Sequence, residues 1–416
     1  MDDENLPQQL FHVLTSPLED DHPTASVERV VTELRRAGAS DAVVYLVDLE
    51  QVELRPAPAY GTGSLEPLAI DELSPPGRCY RDQETVTVCD TGKGDGNALW
   101  VPLCTRGDRL GVIGLRTPSV PDDPFIECCE EAARTLALLM SSEYRYTDDL
   151  ARSRRRKPLS LPAEIQWSLL PPLAFTGPGV TLAGQLEPAY GVGGDTFDYS
   201  LNGTILHFAV LDGMGHGLQA SLLATVAINA YRNARRRGAD LVETHELIDE
   251  SVAESFARTA FVTGLFGRLD TVHGSIRWVT GGHPPPLLIR KAQPIRELTA
   301  APALPFGFGP AEAQVNEAML EPGDELLCYT DGVVDARSGR PAESWGAARL
   351  LEFVQQEAER GELTSETLRQ LVGLLLAHSE GSLIDDATLL LIRWTGASNT
   401  GPVPAVASER GEDIDR

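Results

Sequence analysis

The stretch Asp195-TFDYSLNGTILHFAVLD-Gly213 decides how the C-terminal half of this chain folds. Two largely apolar runs flank Asn202-Gly203, and Asn-Gly between such runs is the strongest short-range signal for a β-hairpin with a type I′ turn. With those two residues as the loop, Leu201 pairs with Thr204, Tyr199 with Leu206, Phe197 with Phe208 and Asp195 with Val210. Asp212 then lies two positions beyond Val210 on the same face. The turn predicts Asp195 and Asp212 as diagonal neighbours at the open end of the hairpin, about 7–8 Å apart at Cα. Two carboxylates that close repel unless a proton or a cation intervenes.

Further along, Asp324-ELLCYTDGVV-Asp335 repeats the layout, an apolar strand running into Asp331-Gly332. In Leu383-IDDATLLLIR-Trp394 the acids come first, with Asp385 and Asp386 just before the strand. An Asp at the exit of one strand meets an Asp at the entry of another when the two run antiparallel. Each such Asp alone reads equally as a turn or cap residue. Together, four segments can bring carboxylates to one sheet edge. A cluster of hard oxygen ligands without His or Cys suits Mg²⁺ or Mn²⁺. Gly213 would give a metal shell access to a backbone carbonyl, and Gly193-Gly194 would let the strand end bend tightly. Two such ions can activate a water for in-line attack on phosphorus.

The rest of the chain narrows the function classes. Its 416 residues predict two or three domains. A net charge of -26 argues against a nucleic-acid partner. No stretch has the apolar length of a membrane span, and the acidic start MDDENLPQQLFHVL lacks the basic beginning of a signal peptide. The expectation is a cytoplasmic protein with no membrane contact. The six Cys (79, 89, 104, 128, 129, 328) form no CxxC pair, which excludes a zinc knuckle or a thioredoxin motif. Cys128-Cys129 fall in a helical pattern and read as buried apolar residues.

Residues 1–24 read as a flexible N-terminus. A helix is expected from Ala25 to Ala37, a strand from Asp41 to Leu49 with Val52–Arg55 as hairpin partner, two strands around Arg106-Gly107-Asp108, and a helix from Asp122 to Glu143. That order, with LWVPL…GDRLGVIGL, resembles a GAF domain over residues 25–145. The resemblance implies a sensor module with a small-molecule ligand; packing as a homodimer is the plainer reading. Residues 146–172 read as a helical linker. Its basic run Arg152-SRRR-Lys157 is expected on a solvated face. In its short helix Ala163–Leu170, the residues Ile165, Leu169 and Leu170 offer a seam between the two halves. GLQASLLATVAINAYRNARRRG reads as a helix with Leu222, Val226 and Ala230 at i, i+4 spacing, and SIRWVTGGHPPPLLIR as strand, turn and strand. Residues 396–416 read as a disordered tail.

EPAYGVGGDTFDY, LDGMGHG, GGHPPP, YTDGVVDAR and DDATLLLIRW, in that order, resemble the SpoIIE/RsbU-type branch of the metal-dependent PPM (protein phosphatase 2C-like) phosphatases. The preceding AEIQWSLLPP is similar to that branch's helical lead-in. The resemblance implies an α+β fold over residues 173–395, an α-β-β-α sandwich of two antiparallel sheets. It implies hydrolysis of phosphoserine or phosphothreonine on a protein, usually an anti-sigma-factor antagonist of the STAS fold in a bacterial partner-switching pathway. Two Mn²⁺ or Mg²⁺ ions are implied, with Asp212 bridging both and Gly213 offering its carbonyl. Asp195 would hold the second ion, and Asp331 with Asp385 or Asp386 the first. Asp198 is implied behind these ligands. Asp335 and Val334 depart from the family's usual Glu and larger side chain.

His216 and His283, in Gly/Pro-rich loops, can donate to a phosphoryl oxygen, and Arg337 can pair with a substrate phosphate. DGMGHG lacks the Lys of a nucleotide-binding P-loop, so its glycines serve geometry. The rival readings are a catalytically silent pseudo-phosphatase and a ligand-sensing dimeric scaffold that binds the phosphoprotein.

Overall fold

The structure, a computed structural model, describes residues 25–397 apart from breaks at 58–64, 90–95, 192, 292–294, 301–302, 310–312, 337–344, 361–363, 381–382 and 384. The expected flexible start, nearly all of the tail and Arg337 lie outside the described residues.

Three antiparallel sheets organise the described residues. The first, from residues 41–117, has six strands and carries helices Ala25–Arg36 and Asp123–Glu143 on one face. Val27, Val30 and Leu34 on the first helix, and Cys129, Ala132 and Leu136 on the second, close that core. Asp122 caps the long helix by accepting from Phe125 N at 3.1 Å. The central hairpin turns at Arg106-Gly107, whose φ values of 48° and 86° are the paired positive angles of a I′ turn. Helix Pro75–Asp82 covers the other face with Cys79 and Tyr80.

The second sheet has five strands, ordered Asn316–Met319, Ser275–Gly281, Val262–Asp270, Ile205–Gly213, Asp195–Asn202. The third has six, ordered Arg296–Glu297, Leu287–Ile289, Glu325–Tyr329, Ala387–Trp394, Val180–Glu187, Ala174–Gly177. Their inner faces interdigitate through Phe197, Phe208, Val210, Leu326, Leu390 and Ile392. Helices Leu218–Arg236 and Leu241–Ser255 cover the second sheet through Leu223, Ala227, Ile228 and Val252. Helices Gly346–Arg360 and Thr364–His378 cover the third through Leu350, Leu368 and Leu371. This is the expected α-β-β-α sandwich. Among the described residues, no helix is long and apolar enough to cross a membrane.

Three expectations are corrected here. The hairpin pairs Asn202 with Ile205 and Asp195 directly with Asp212, so the loop is Gly203-Thr204. Only Gly203 has positive φ (59°), which is the preference of a II′ turn for Gly at its first central position. The helix Leu218–Arg236 buries Leu223, Ala227 and Tyr231, one position on from the stripe read from sequence, and Leu222 is exposed. SIRWVTGGHPPPLLIR forms the expected strand, turn and strand, its two strands lying in different sheets with the prolines crossing between them. The basic run is not simply solvated: Arg154 Nε donates to Val47 O at 2.9 Å, Arg155 pairs with Glu164 at 2.8 Å, and Arg156 pairs with Glu50.

The N-terminal sheet docks on the sandwich through polar contacts. Arg109 pairs with Glu366 at 3.0 Å, with both side chains buried, and Gln51 Nε2 donates to Gln185 Oε1 at 2.6 Å. Thr176 N donates to Arg106 O at 2.5 Å. The lead-in helix Leu161–Leu169 places Ile165 and Leu169 in the core beneath helix Leu218–Arg236. Ile165 and Leu169 therefore serve the sandwich, while Leu170 and Trp167 face the junction between the halves.

Candidate metal centre

Strand ends at one edge of the sandwich bring the acidic residues together. Direct pairing of Asp195 with Asp212 puts both on the face turned toward the third sheet's end, where Tyr329 leads into Asp331 and Asp386 precedes Ala387. Asp195 and Asp386 are buried, Asp212 is half-buried, and Asp331 and Asp385 are exposed at the mouth.

Electrostatics tie the five together. Burial, then the charges of Asp212 and Asp386, hold the Asp195 carboxyl well above its ordinary range. Burial, then Asp331 and Asp385, raise Asp212. Asp331 is raised by burial and then by Asp385 and Asp335. Asp386 is raised by burial, against the hydrogen bonds it accepts from Gly194 and Asp195. Burial is the largest cause in each case and repulsion between the carboxylates adds to it, a condition that a cation relieves.

The surrounding groups set orientation. Thr330 Oγ1 donates to Asp195 Oδ2 at 2.7 Å and accepts from Thr388 N at 2.9 Å. Asp386 Oδ2 accepts from Gly194 N at 2.5 Å and Asp195 N at 3.3 Å, while its buried Oδ1 has no partner. Gln166 Nε2 donates to Asp195 O at 2.8 Å. A Cβ on Gly194 would lie 2.8 Å from Gly213 O, and one on Gly332 would lie 1.9 Å from Asp386 O. Both positions thus require close backbone approach, and glycine alone permits it.

The donor set fits a hard divalent cation: carboxylate oxygens in excess, one of them buried and unpartnered, beside a backbone carbonyl that only Gly194 leaves uncovered. Among the described residues, no three His, Cys, Asp or Glu side chains already close on one point. The buried carboxylates are turned onto Thr330 and the Gly194 amide instead.

The remaining predicted residues separate. Asp198 lies three positions from Asp195, hence on the opposite face. There it accepts from Arg232 and Arg235 at 2.9 and 2.6 Å and anchors the helix Leu218–Arg236, away from the acidic corner. His283 is buried, and burial lowers its pKa to about 4. Its Nδ1 lies 3.5 Å from Thr263 Oγ1, which lies 3.4 Å from Asp212 Oδ2. His216 is exposed in the loop before the helix. Thr330, Thr263 and Gln166 are absent from the sequence reading. Only Thr330, next to Asp331, carries a signal there, as the cap position of a short helix. Cys128 and Arg134 have the six-residue spacing of a Cys-nucleophile phosphate loop. Both sit on the helix Asp123–Glu143, where Cys128 is buried and Arg134 pairs with Glu131, so these two residues form no such loop.

Residues 202–395 match the family described as Stage II sporulation protein E (SpoIIE). The chain is 29% identical over 135 residues to Protein IcfG of Synechocystis, covering 32% of this chain and 20% of that protein. It is 27% identical over 131 residues to Phosphoserine phosphatase RsbP of Bacillus subtilis, covering 30% of this chain and 32% of that protein. The chain thus spans a third or less of these curated relatives. Among solved structures it is similar to the RsbU and RsbW domains of Rv1364c from Mycobacterium tuberculosis. That match has 30% identity and a TM-score of 0.46, over 53% of this chain and 63% of that one.

Proposed function

We propose, on the premise that residues 202–395 form a SpoIIE-family domain, that this chain is a metal-dependent phosphoserine/phosphothreonine protein phosphatase. The observation that carries the proposal is the acidic corner: Asp212 and Asp331 inside the matched span, with Asp195, just outside it, as the direct register partner of Asp212. In this reading Asp212 would serve both of two Mn²⁺ or Mg²⁺ sites, Asp195 would help hold one and Asp331 with Asp385 the other, and Gly213 O would add a neutral donor.

When bound, such an ion pair supplies Lewis-acid charge and an activated water for attack on phosphorus. The chain's own residues supply the rest. Thr330 fixes the Asp195 carboxylate, and Asp386 ties the second sheet's strand end to the third through the Gly194 and Asp195 amides. In this reading Asp385 takes the outward ligand position, while Asp386 anchors through Oδ2 and keeps its unpartnered Oδ1 as a further donor. His283 is neutral near pH 7 and steadies Thr263 beside Asp212, so it does not serve as a cationic acid.

The substrate we propose is a phosphorylated STAS-fold anti-sigma-factor antagonist, in keeping with RsbP, which is named a phosphoserine phosphatase. The N-terminal sheet, docked through Arg109–Glu366 and Gln51–Gln185, is the proposed regulator. The test is hydrolysis by the full chain of a phosphoserine-bearing STAS protein and of para-nitrophenyl phosphate. Release of phosphate should require Mn²⁺ or Mg²⁺. Turnover that persists in EDTA would sink the reading.

A further inference from the structure

Where the N-terminal sheet meets the sandwich, the packing leaves a cleft of about 560 Å³, lined from both sides. Leu46 and Leu110 come from the first sheet, and Met140 from the end of helix Asp123–Glu143. Trp167, Leu170 and Leu173 come from the lead-in helix and the residues after it. The size falls within the 300–1,000 Å³ of small-molecule sites, and junctions between folded units are where such sites concentrate. The cleft lies on the helix-bearing face of the first sheet, away from the core that Cys79 and Tyr80 fill on the other face.

Charge selects the occupant. Three charged side chains line the cleft: Asp108, Arg145 and Arg154. Arg154 is already committed, with Nε on Val47 O and Asp108 facing it. Arg145 is exposed and forms no ion pair among the described residues. The lining therefore carries one net positive charge on a chain whose total is -26. A greasy wall with one uncommitted guanidinium at its rim fits an amphipathic anion. We infer that this cleft binds a small amphipathic monoanion, its ring or chain body on Trp167, Met140 and Leu110 and its acidic group on Arg145. The inference does not depend on the phosphatase reading.

The test uses the full chain and two dyes with the same aromatic body: 8-anilinonaphthalene-1-sulfonate, which is anionic, and N-phenyl-1-naphthylamine, which is neutral. Both should show saturable fluorescence enhancement with one dye per chain. Ser168→Trp and Ser141→Trp fill the mouth from two different helices at exposed positions, and each should weaken both dyes more than tenfold. Arg145→Glu should weaken the sulfonate dye about tenfold and leave the neutral dye within about twofold. Thermal melts matching the wild type establish that the variants fold, and either tryptophan variant suffices if the other does not. Absence of saturable binding to the wild type overturns the inference. So does undiminished binding in the tryptophan variants, or an equal response of the two dyes to Arg145→Glu.

Discussion

Glu187→Gln should stabilise the protein at alkaline pH and leave it nearly unchanged at acid pH. Glu187 ends the strand Val180–Glu187 and is 1% exposed. Its Oε2 accepts from Ala189 N at 2.9 Å, while Oε1 has no partner. Burial, with smaller contributions from Glu50 and Asp48, raises its pKa from 4.5 to about 8. Below pH 4.5 the folded and unfolded chains both carry the proton, and the group's relative stabilisation is fully present. Between 4.5 and 8 only the folded state keeps it, so stability falls as pH rises, and the contribution is lost once the folded group ionises. At about 1.36 kcal/mol per pKa unit, that span sets a ceiling of about 5 kcal/mol. Gln mimics the protonated acid at every pH, so the variant should lack this decline. Urea and thermal unfolding in EDTA at fixed pH values from 5 to 9 read it. The melting temperatures should coincide near pH 5 and separate by about 10 °C at pH 9. An offset of equal size at both ends, or a variant less stable at pH 9, would refute the reasoning.

Two further substitutions separate scaffold from site. Asp198→Ala strands the guanidinium groups of Arg232 and Arg235, and should cost about 3 kcal/mol in melts while leaving Mn²⁺ affinity by calorimetry unchanged. Thr330→Val keeps the shape but removes the donor to Asp195 and orphans Thr388 N. It should cost about 2–3 kcal/mol and lower the rate of para-nitrophenyl phosphate hydrolysis, and Thr330→Ser should recover most of both.

Much of the fold was legible because its elements obey strong local rules. Asp122 before an apolar helix, Arg106-Gly107 between strands, and the run Ala387–Trp394 all behave as their chemistry dictates. The acidic residues were legible because each sits where an apolar strand stops. What escaped was decided by tertiary contact. Asn202-Gly203 predicts a hairpin but not its register, since moving Gly203 from the second loop position of a I′ turn to the first of a II′ turn displaces the pairing by two residues. Only the corrected register sets Asp195 squarely against Asp212. Asp198 was grouped with its neighbour in sequence, although strand alternation already turns it to the other face. Arg154 looked like one of a solvated run because its partners, Val47 and Asp108, are far away in the chain. Thr330, Thr263 and Gln166 carry hydroxyl or amide groups that have no distinctive spacing, so only the folded chain selects them.

The central claim is that Asp212 is shared by two metal sites, and Mn²⁺ calorimetry on the full chain and on Asp212→Asn tests it most directly. The account predicts two Mn²⁺ per wild-type chain. For Asp212→Asn it predicts no site of comparable affinity, an unchanged circular dichroism spectrum and no hydrolysis. Two ions bound with wild-type affinity by a folded Asp212→Asn protein would contradict it.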